Sequence, residues 1–307
     1  MLPPRLPRAA ALLYVCSSSM RSFVRRIVPS IRQPFVLMTG GGDATLPMEA
    51  MDGQQVKTLL QNRLLLSWWC QNLNEEEGGE AGGRQAAKLR FLPIGLDLHT
   101  RAAGPYILGG MQVGIGLRTV LLPWNWVEKA SSPREQEEVL EQIRRRMKRS
   151  EERILRVYAD FQVNAKYGRR FGAGGLTRAE AVKELEGNEL VEWGGGGGRQ
   201  RREMAWREKS KFAFEISLPG NGLDCHRTWE ALLLGCIVIT TSSSLDRMWR
   251  KLELPVVVLP PSSFSSSITV GNLTRWREEH AGKIARVGDK LSNSLWMNRI
   301  LGETNTI

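Results

Sequence analysis

Cysteine is scarce and scattered in this 307-residue chain. Cys16, Cys70, Cys225 and Cys236 form no Cys-x-x-Cys pair, and no His-x-x-x-His stands beside them. That spacing argues against a structural zinc site and excludes a dense disulfide framework. No apolar run reaches the roughly 18 residues that a membrane span needs. A phosphate loop of the form G-x-x-x-x-G-K-[ST] is missing, which excludes a P-loop kinase. The G-x-S-x-G elbow of a serine hydrolase is missing as well. Acid is missing from the start, since no Asp or Glu precedes Asp43. An acid-poor, Arg- and Ser-rich start is the composition of a targeting peptide. The same residues nevertheless read better as structure. An apolar run at Leu12–Val15 is followed by helical spacing of Met20, Phe23, Val24, Ile27 and Ile31, then by a second run at Phe35–Met38 that closes at Gly40.

What the chain does have is an excess of base. Its formal net charge is +11, which fits a nucleic acid, an anionic surface, a phosphate-bearing small molecule, or a solvated basic face. Alternating strand and helix signals predict an α/β protein with parallel sheets covered on both faces. Further strands are expected at Leu89–Ile94 and Val120–Leu122. Residues 75–85, "EEEGGEAGGRQ", read as a charged loop with nothing to bury. Ser132-Pro133 reads as an N-cap and first-turn pair. It opens a helical pattern through Val139, Ile143, Met147, Ile154 and Val157. The basic cluster Arg144, Arg145, Arg146, Lys148 and Arg149 is interleaved with glutamates, as on a solvated helix face. "GGGGGRQRR" at 194–202 reads as a flexible insert. The expected organisation is an N-terminal α/β lobe over 1–130, a helical connection with its Gly-rich insert over 131–205, and a C-terminal Rossmann-like lobe over 206–307.

The informative stretch is "KFAFEISLPGNGLDCHRTWEALLLGCIVI", residues 211–239. It predicts a strand at 211–217, a turn at Pro219-Gly220-Asn221-Gly222, a helix over 224–234 with Asp224 as its N-cap, and a strand at 236–241. Strand, glycine turn and helix start together make an anion site, because the helix N-terminus presents free N–H groups and a positive dipole end. Arg227 stands in the first turn, where its guanidinium can take a phosphate bidentately. Glu230 follows one turn later on the same face and is suited to a ribose diol. The alternative is an Arg227–Glu230 surface pair of little energetic worth. His226 beside the turn reads as a hydrogen-bonded structural residue or as a phosphate contact. A Rossmann dinucleotide site needs an acid at the end of the next strand. That strand runs instead into Thr240-Thr241-Ser242-Ser243-Ser244, which disfavours a nicotinamide cofactor.

These residues resemble the nucleotide-sugar segment of the exostosin-like glycosyltransferases, whose pattern runs roughly S-P-x-G-x-G-x-D-x-x-R-x-x-E-A-L-x-x-G-C-I-P-V-I. Ser217, Gly220, Gly222, Asp224, Arg227, Glu230, Ala231, Gly235 and Cys236 match it. Leu218 and Val238 stand where the family has proline. The likeness covers about 210–280. It implies a GT-B-type fold, two Rossmann-like domains facing across a cleft. It also implies a sugar-nucleotide donor, UDP- or GDP-linked, held on the C-terminal lobe by Ser217, Gly220, Asn221, Gly222, Asp224, His226, Arg227 and Glu230. The acceptor is then a glycan or glycoprotein. No cofactor is implied and no metal, in keeping with the absence of any Asp-x-Asp pair. Asp43, Asp97 and His99, at strand ends of the N-terminal half, are the candidate general bases.

Two rival readings stand beside this one. A degenerate transferase fold would bind sugar or partner without turnover. A nucleic-acid binder would use residues 134–170, but its aromatics Tyr158, Phe161, Tyr167 and Phe171 cluster at the end instead of alternating with the basic residues. The resemblance implies the secretory pathway, with relatives anchored in the Golgi membrane. An anchor would then stand outside this chain. Asn272-Leu273-Thr274 is a glycosylation sequon consistent with that compartment.

Overall fold

The structure is a computed structural model of the chain. The structure describes residues 10–98, 132–161, 163, 175–194 and 202–302. β1 (Ala11–Cys16) runs parallel to β2 (Phe35–Gly40), and short helical turns at Met20–Ser22 and Phe23–Ile27 link the two. α1 (Gly53–Gln61) starts from a capping box in which Asp52 accepts from the Gln55 N–H. β3 (Leu65–Cys70), α2 (Glu75–Gly82) and β4 (Leu89–Phe91) complete a four-stranded parallel sheet in the order β1-β2-β3-β4.

α3 (Pro133–Arg146) has Ser132 as its N-cap and Pro133 in its first turn, as the sequence predicts. It is followed by β5 (Ile154–Ala159), α4 (Arg178–Glu184), β6 (Val191–Trp193), α5 (Arg202–Lys209) and β7 (Phe212–Ile216). The chain continues through α6 (His226–Leu233), β8 (Ile237–Thr241), α7 (Asp246–Lys251), β9 (Val256–Leu259), α8 (Val270–Lys290) and α9 (Asn293–Gly302). These strands form a second parallel sheet in the order β6-β5-β7-β8-β9. β7 and β8 are buried along their whole length, as parallel strands covered on both faces must be.

Four elements differ from the sequence reading. Residues 75–82 are helical, because Asn74 Oδ1 caps the Glu76 N–H and acids favour a helix N-terminus. Gly78 has a packing role there, since a Cβ at that position would lie 2.5 Å from Leu89 Cδ1. Ile154 and Val157 belong to β5 and not to a continued helix. The helix ends at Met147 with an extended C-cap, and Val157 pairs with both Val191 and Phe214. β4 stops at Phe91, short of Ile94. β3 is absent from the sequence reading, although Leu65, Trp68, Trp69 and Cys70 are buried along it. The expected strand at Val120–Leu122 lies outside the described residues.

Apolar packing is continuous between the two sheets. Trp68, Leu37 and Leu59 of the first share one buried cluster with Trp229, Leu232, Met248 and Trp249 of the second. A separate cluster of Phe214, Ile239, Leu273 and Trp276 fills the far side of the second sheet. Residues following β3 bond residues following β7 and β8. Asn72 Oδ1 accepts from the Asp224 N–H at 2.8 Å, and Ser244 Oγ donates to the Leu73 carbonyl at 3.1 Å. The carboxyl ends of both sheets therefore face one another. That is the two-lobed α/β layout expected of a GT-B type, and ligands of open α/β sheets bind at such strand ends. Among the described residues no helix is long and apolar enough to cross a membrane.

Candidate functional site between the two sheets

The loop from Ser217 to Cys225 lies where the two sets of strand ends meet. Ser217 Oγ and Thr228 Oγ1 are 2.8 Å apart and buried, which ties the end of β7 to the first turn of α6. The glycines supply room more than unusual backbone angles. A Cβ on Gly220 would lie 2.6 Å from an Arg178 terminal nitrogen, and one on Gly222 would lie 2.9 Å from the Asn72 amide. Neither side chain is free to swing away. Arg178 donates to the carbonyls of Leu218 and Pro219, while Asn72 spans from the Gly42 carbonyl to the Asp224 N–H. Asn221 at the loop tip is exposed.

Asp224 is not the N-cap. Cys225 takes that position without a side-chain bond. The Asp224 carboxylate is buried and accepts instead from the Trp229 indole N–H at 2.8 Å and from the Ile94 N–H of the opposite lobe at 2.8 Å. Burial pushes its pKa up to about 7, against those hydrogen bonds. His226 makes a second inter-lobe contact, with Nδ1 2.7 Å from the Gly95 carbonyl.

Arg227 and Glu230 are not a surface pair. Both reach a buried ionic cluster that the sequence reading missed. Arg227 Nε donates to Asp160 Oδ1 at 2.6 Å. Lys209, with side-chain exposure of 1%, bonds Glu215 at 2.8 Å and lies 3.6 Å from Asp160 and 3.8 Å from Glu230. Burial would raise the Asp160 pKa, but Lys209 and Arg227 outweigh it and hold the carboxyl at about 2. For Glu215 burial wins over Lys209, and its pKa rises to about 8. Burial also works against the charge on Lys209, and the surrounding carboxylates more than offset it. Among the described residues Arg227 makes its side-chain hydrogen bond through Nε, and neither terminal guanidinium nitrogen makes one. An Arg pinned at Nε with its outer fork open is preorganised for bidentate phosphate.

The three candidate bases fare differently. Asp97 is paired with Arg202 at 3.0 Å, which holds its carboxylate in an ion pair. Asp43 is exposed, directly after the Gly40-Gly41-Gly42 turn that closes β2. His99 lies outside the described residues. Glu215, an acid in an otherwise apolar strand, is the one sequence signal that could have pointed to the ionic cluster. Asp160 and Arg178 carried no comparable signal. At the sequon, Asn272 stands in the first turn of α8, where its side-chain amide donates to the Ser267 carbonyl.

No family model matches the chain. No curated protein matches it. Among solved structures it is similar to a UDP-forming α,α-trehalose-phosphate synthase from Burkholderia xenovorans, at 9% identity and TM-score 0.47, covering 96% of this chain and 74% of that one. It is similar to Anabaena HepE in complex with UDP and glucose, at 13% identity and TM-score 0.44, covering 96% and 77%. An E. coli trehalose-6-phosphate protein bound with UDP-2-fluoro glucose gives 7% identity and TM-score 0.42, covering 98% and 74%. At such identities and scores, substrate and chemistry have to be read from the chain's own residues.

Proposed function

We propose that this chain is a glycosyltransferase of the GT-B, exostosin-like kind, which moves a sugar from a UDP- or GDP-linked donor to a glycan or glycoprotein acceptor without a metal. The observation that carries the reading is the loop and helix start at Ser217–Glu230. They lie where two parallel sheets present their carboxyl ends, with Arg227 held at Nε and its fork free of hydrogen bonds to any described residue. The sequence pattern of the same residues supports it independently.

In this reading the donor diphosphate lies against Gly220–Gly222, the start of α6 and the outer nitrogens of Arg227. The glycosyl C–O bond to the diphosphate breaks as the acceptor oxygen bonds the anomeric carbon. Negative charge grows on the leaving diphosphate, where Arg227 and the helix start stabilise it. Glu230 accepts from the ribose hydroxyls. Asp43, exposed at the end of β2, takes the acceptor proton.

The ion pair between Asp97 and Arg202 favours a second reading, a transferase fold that binds a nucleotide sugar without turning it over. Release of free UDP or GDP from a panel of sugar nucleotides, with glycan acceptors and excess chelator present, separates the two. The transferase reading expects acceptor-dependent release that falls by about a hundredfold or more in Arg227→Ala. Donor binding with no release from any donor supports the second reading, and neither binding nor release overturns both.

A further inference from the structure

The other face of α6 opens on a cavity that the donor reading does not use. It encloses about 590 Å³ and reaches both lobes, from Met38 at the first sheet and the 92–98 segment to Trp229, Leu233 and the residues Leu291–Ile300. That volume lies within the roughly 300–1,000 Å³ typical of small-molecule sites. Among the described lining residues Trp229 and Ile300 are buried, whereas the polar ones, Glu137, Ser292 and Asn293, are exposed. The cavity therefore has an apolar floor and a polar rim.

The floor offers almost no hydrogen bonding. The Trp229 N–H is spent on Asp224, and the Trp296 N–H donates to the Lys290 carbonyl at 3.1 Å, which leaves only ring surface. At the rim, Glu137 and Asn293 make no side-chain hydrogen bond with any other described residue. Among the described residues Glu137 is the single charged residue lining the cavity. Arg299 stacks 5.3 Å from the Trp296 ring centroid but does not line it.

We propose that this cavity binds an uncharged amphiphile. Its apolar body lies against Trp229, Leu233 and Trp296, and its hydroxyl-bearing head sits at Glu137 and Asn293. An apolar body gains by leaving water for this floor. A hydroxyl head can donate to the Glu137 carboxylate and to the Asn293 amide oxygen, whereas a carboxylate head would meet Glu137 charge to charge. The inference needs no donor nucleotide and stands apart from the transfer reading.

The test is calorimetric titration of the full chain with n-octyl β-D-glucoside below its micelle concentration, beside glucose and octanoate. The expected result is saturable one-to-one binding of the octyl glucoside, none of glucose, and octanoate weaker by about tenfold, a difference of about 1.4 kcal/mol. Leu233→Trp fills the floor and Asn293→Trp narrows the mouth. Each is expected to weaken the octyl glucoside by roughly tenfold or more. The rim variant is exposed and tests the site even if the floor variant fails to fold. No saturable binding, equal binding of octanoate, or binding indifferent to the folded variants would overturn the proposal.

Discussion

Arg227 donates through Nε to Asp160 at 2.6 Å, and the same Asp160 lies 3.6 Å from the buried ammonium of Lys209. One carboxylate at the end of β5 thus fixes the direction of the guanidinium and offsets part of a buried charge. Removing it leaves Lys209 and Arg227 under-compensated in a region nearly closed to water. Asp160→Asn is expected to cost about 3 kcal/mol of stability, the scale for breaking a buried pair on one side. It is also expected to weaken nucleotide binding by roughly tenfold, because the Arg227 fork loses its anchor. Urea unfolding and calorimetry on the same variant check both. A variant as stable as wild type would show that Asp160 does not have this role.

Gly222 and Asn72 belong to different lobes and are sterically matched. Gly222→Ala places a Cβ 2.9 Å from the Asn72 amide, whose oxygen holds the Asp224 N–H. The expected cost is about 1–3 kcal/mol, as for overpacking. In an Asn72→Ala background the clash disappears, and Gly222→Ala should then be nearly neutral. A double-mutant cycle reads the coupling, expected at about 1 kcal/mol or more, and additivity would mean that the two residues do not meet.

Two acids with raised pKa values contribute to the pH dependence of stability. Glu215 rises from 4.5 to about 8 and Asp224 from 3.8 to about 7. Between those limits the folded chain holds protons that the unfolded chain has released. Stability therefore falls as pH rises through this window, by up to about 1.4 kcal/mol per pH unit for each group. Asp160 has the opposite sign. Its contribution is complete above 3.8 and is lost as pH falls towards about 2. Melting temperatures from pH 5 to pH 9 should decline less steeply in Glu215→Gln than in wild type. Parallel profiles would place the titrating group elsewhere.

The sequence disclosed the parts of this protein whose signal is local. β1, β2, the cap at Ser132, and the order of β7, loop, α6 and β8 follow from apolar runs, turn residues and caps that lie side by side in the chain. What it hid depends on partners far away. Asp160, Lys209 and Glu215 are charges that make sense only once β5, α5 and β7 are adjacent. Asp224 looked like a helix cap because caps are read from neighbours, whereas its carboxylate bonds the Trp229 indole and the N–H of Ile94, 130 residues distant. The two motif glycines suggested close approach to a ligand. In the structure it is Arg178 and Asn72 that approach them.

The most direct test of the central claim, that the Ser217–Glu230 unit with Arg227 holds a nucleotide diphosphate, is thermal stability against UDP, GDP and their sugar conjugates. Wild type, Arg227→Ala and Glu230→Ala should be measured together. A nucleotide present at about 100 times its Kd stabilises the folded chain by about 2.7 kcal/mol. The account predicts a shift of that order in wild type for one nucleotide class, lost in Arg227→Ala and reduced in Glu230→Ala. Folded wild-type protein that shifts with none of them, or shifts equally in Arg227→Ala, would contradict it.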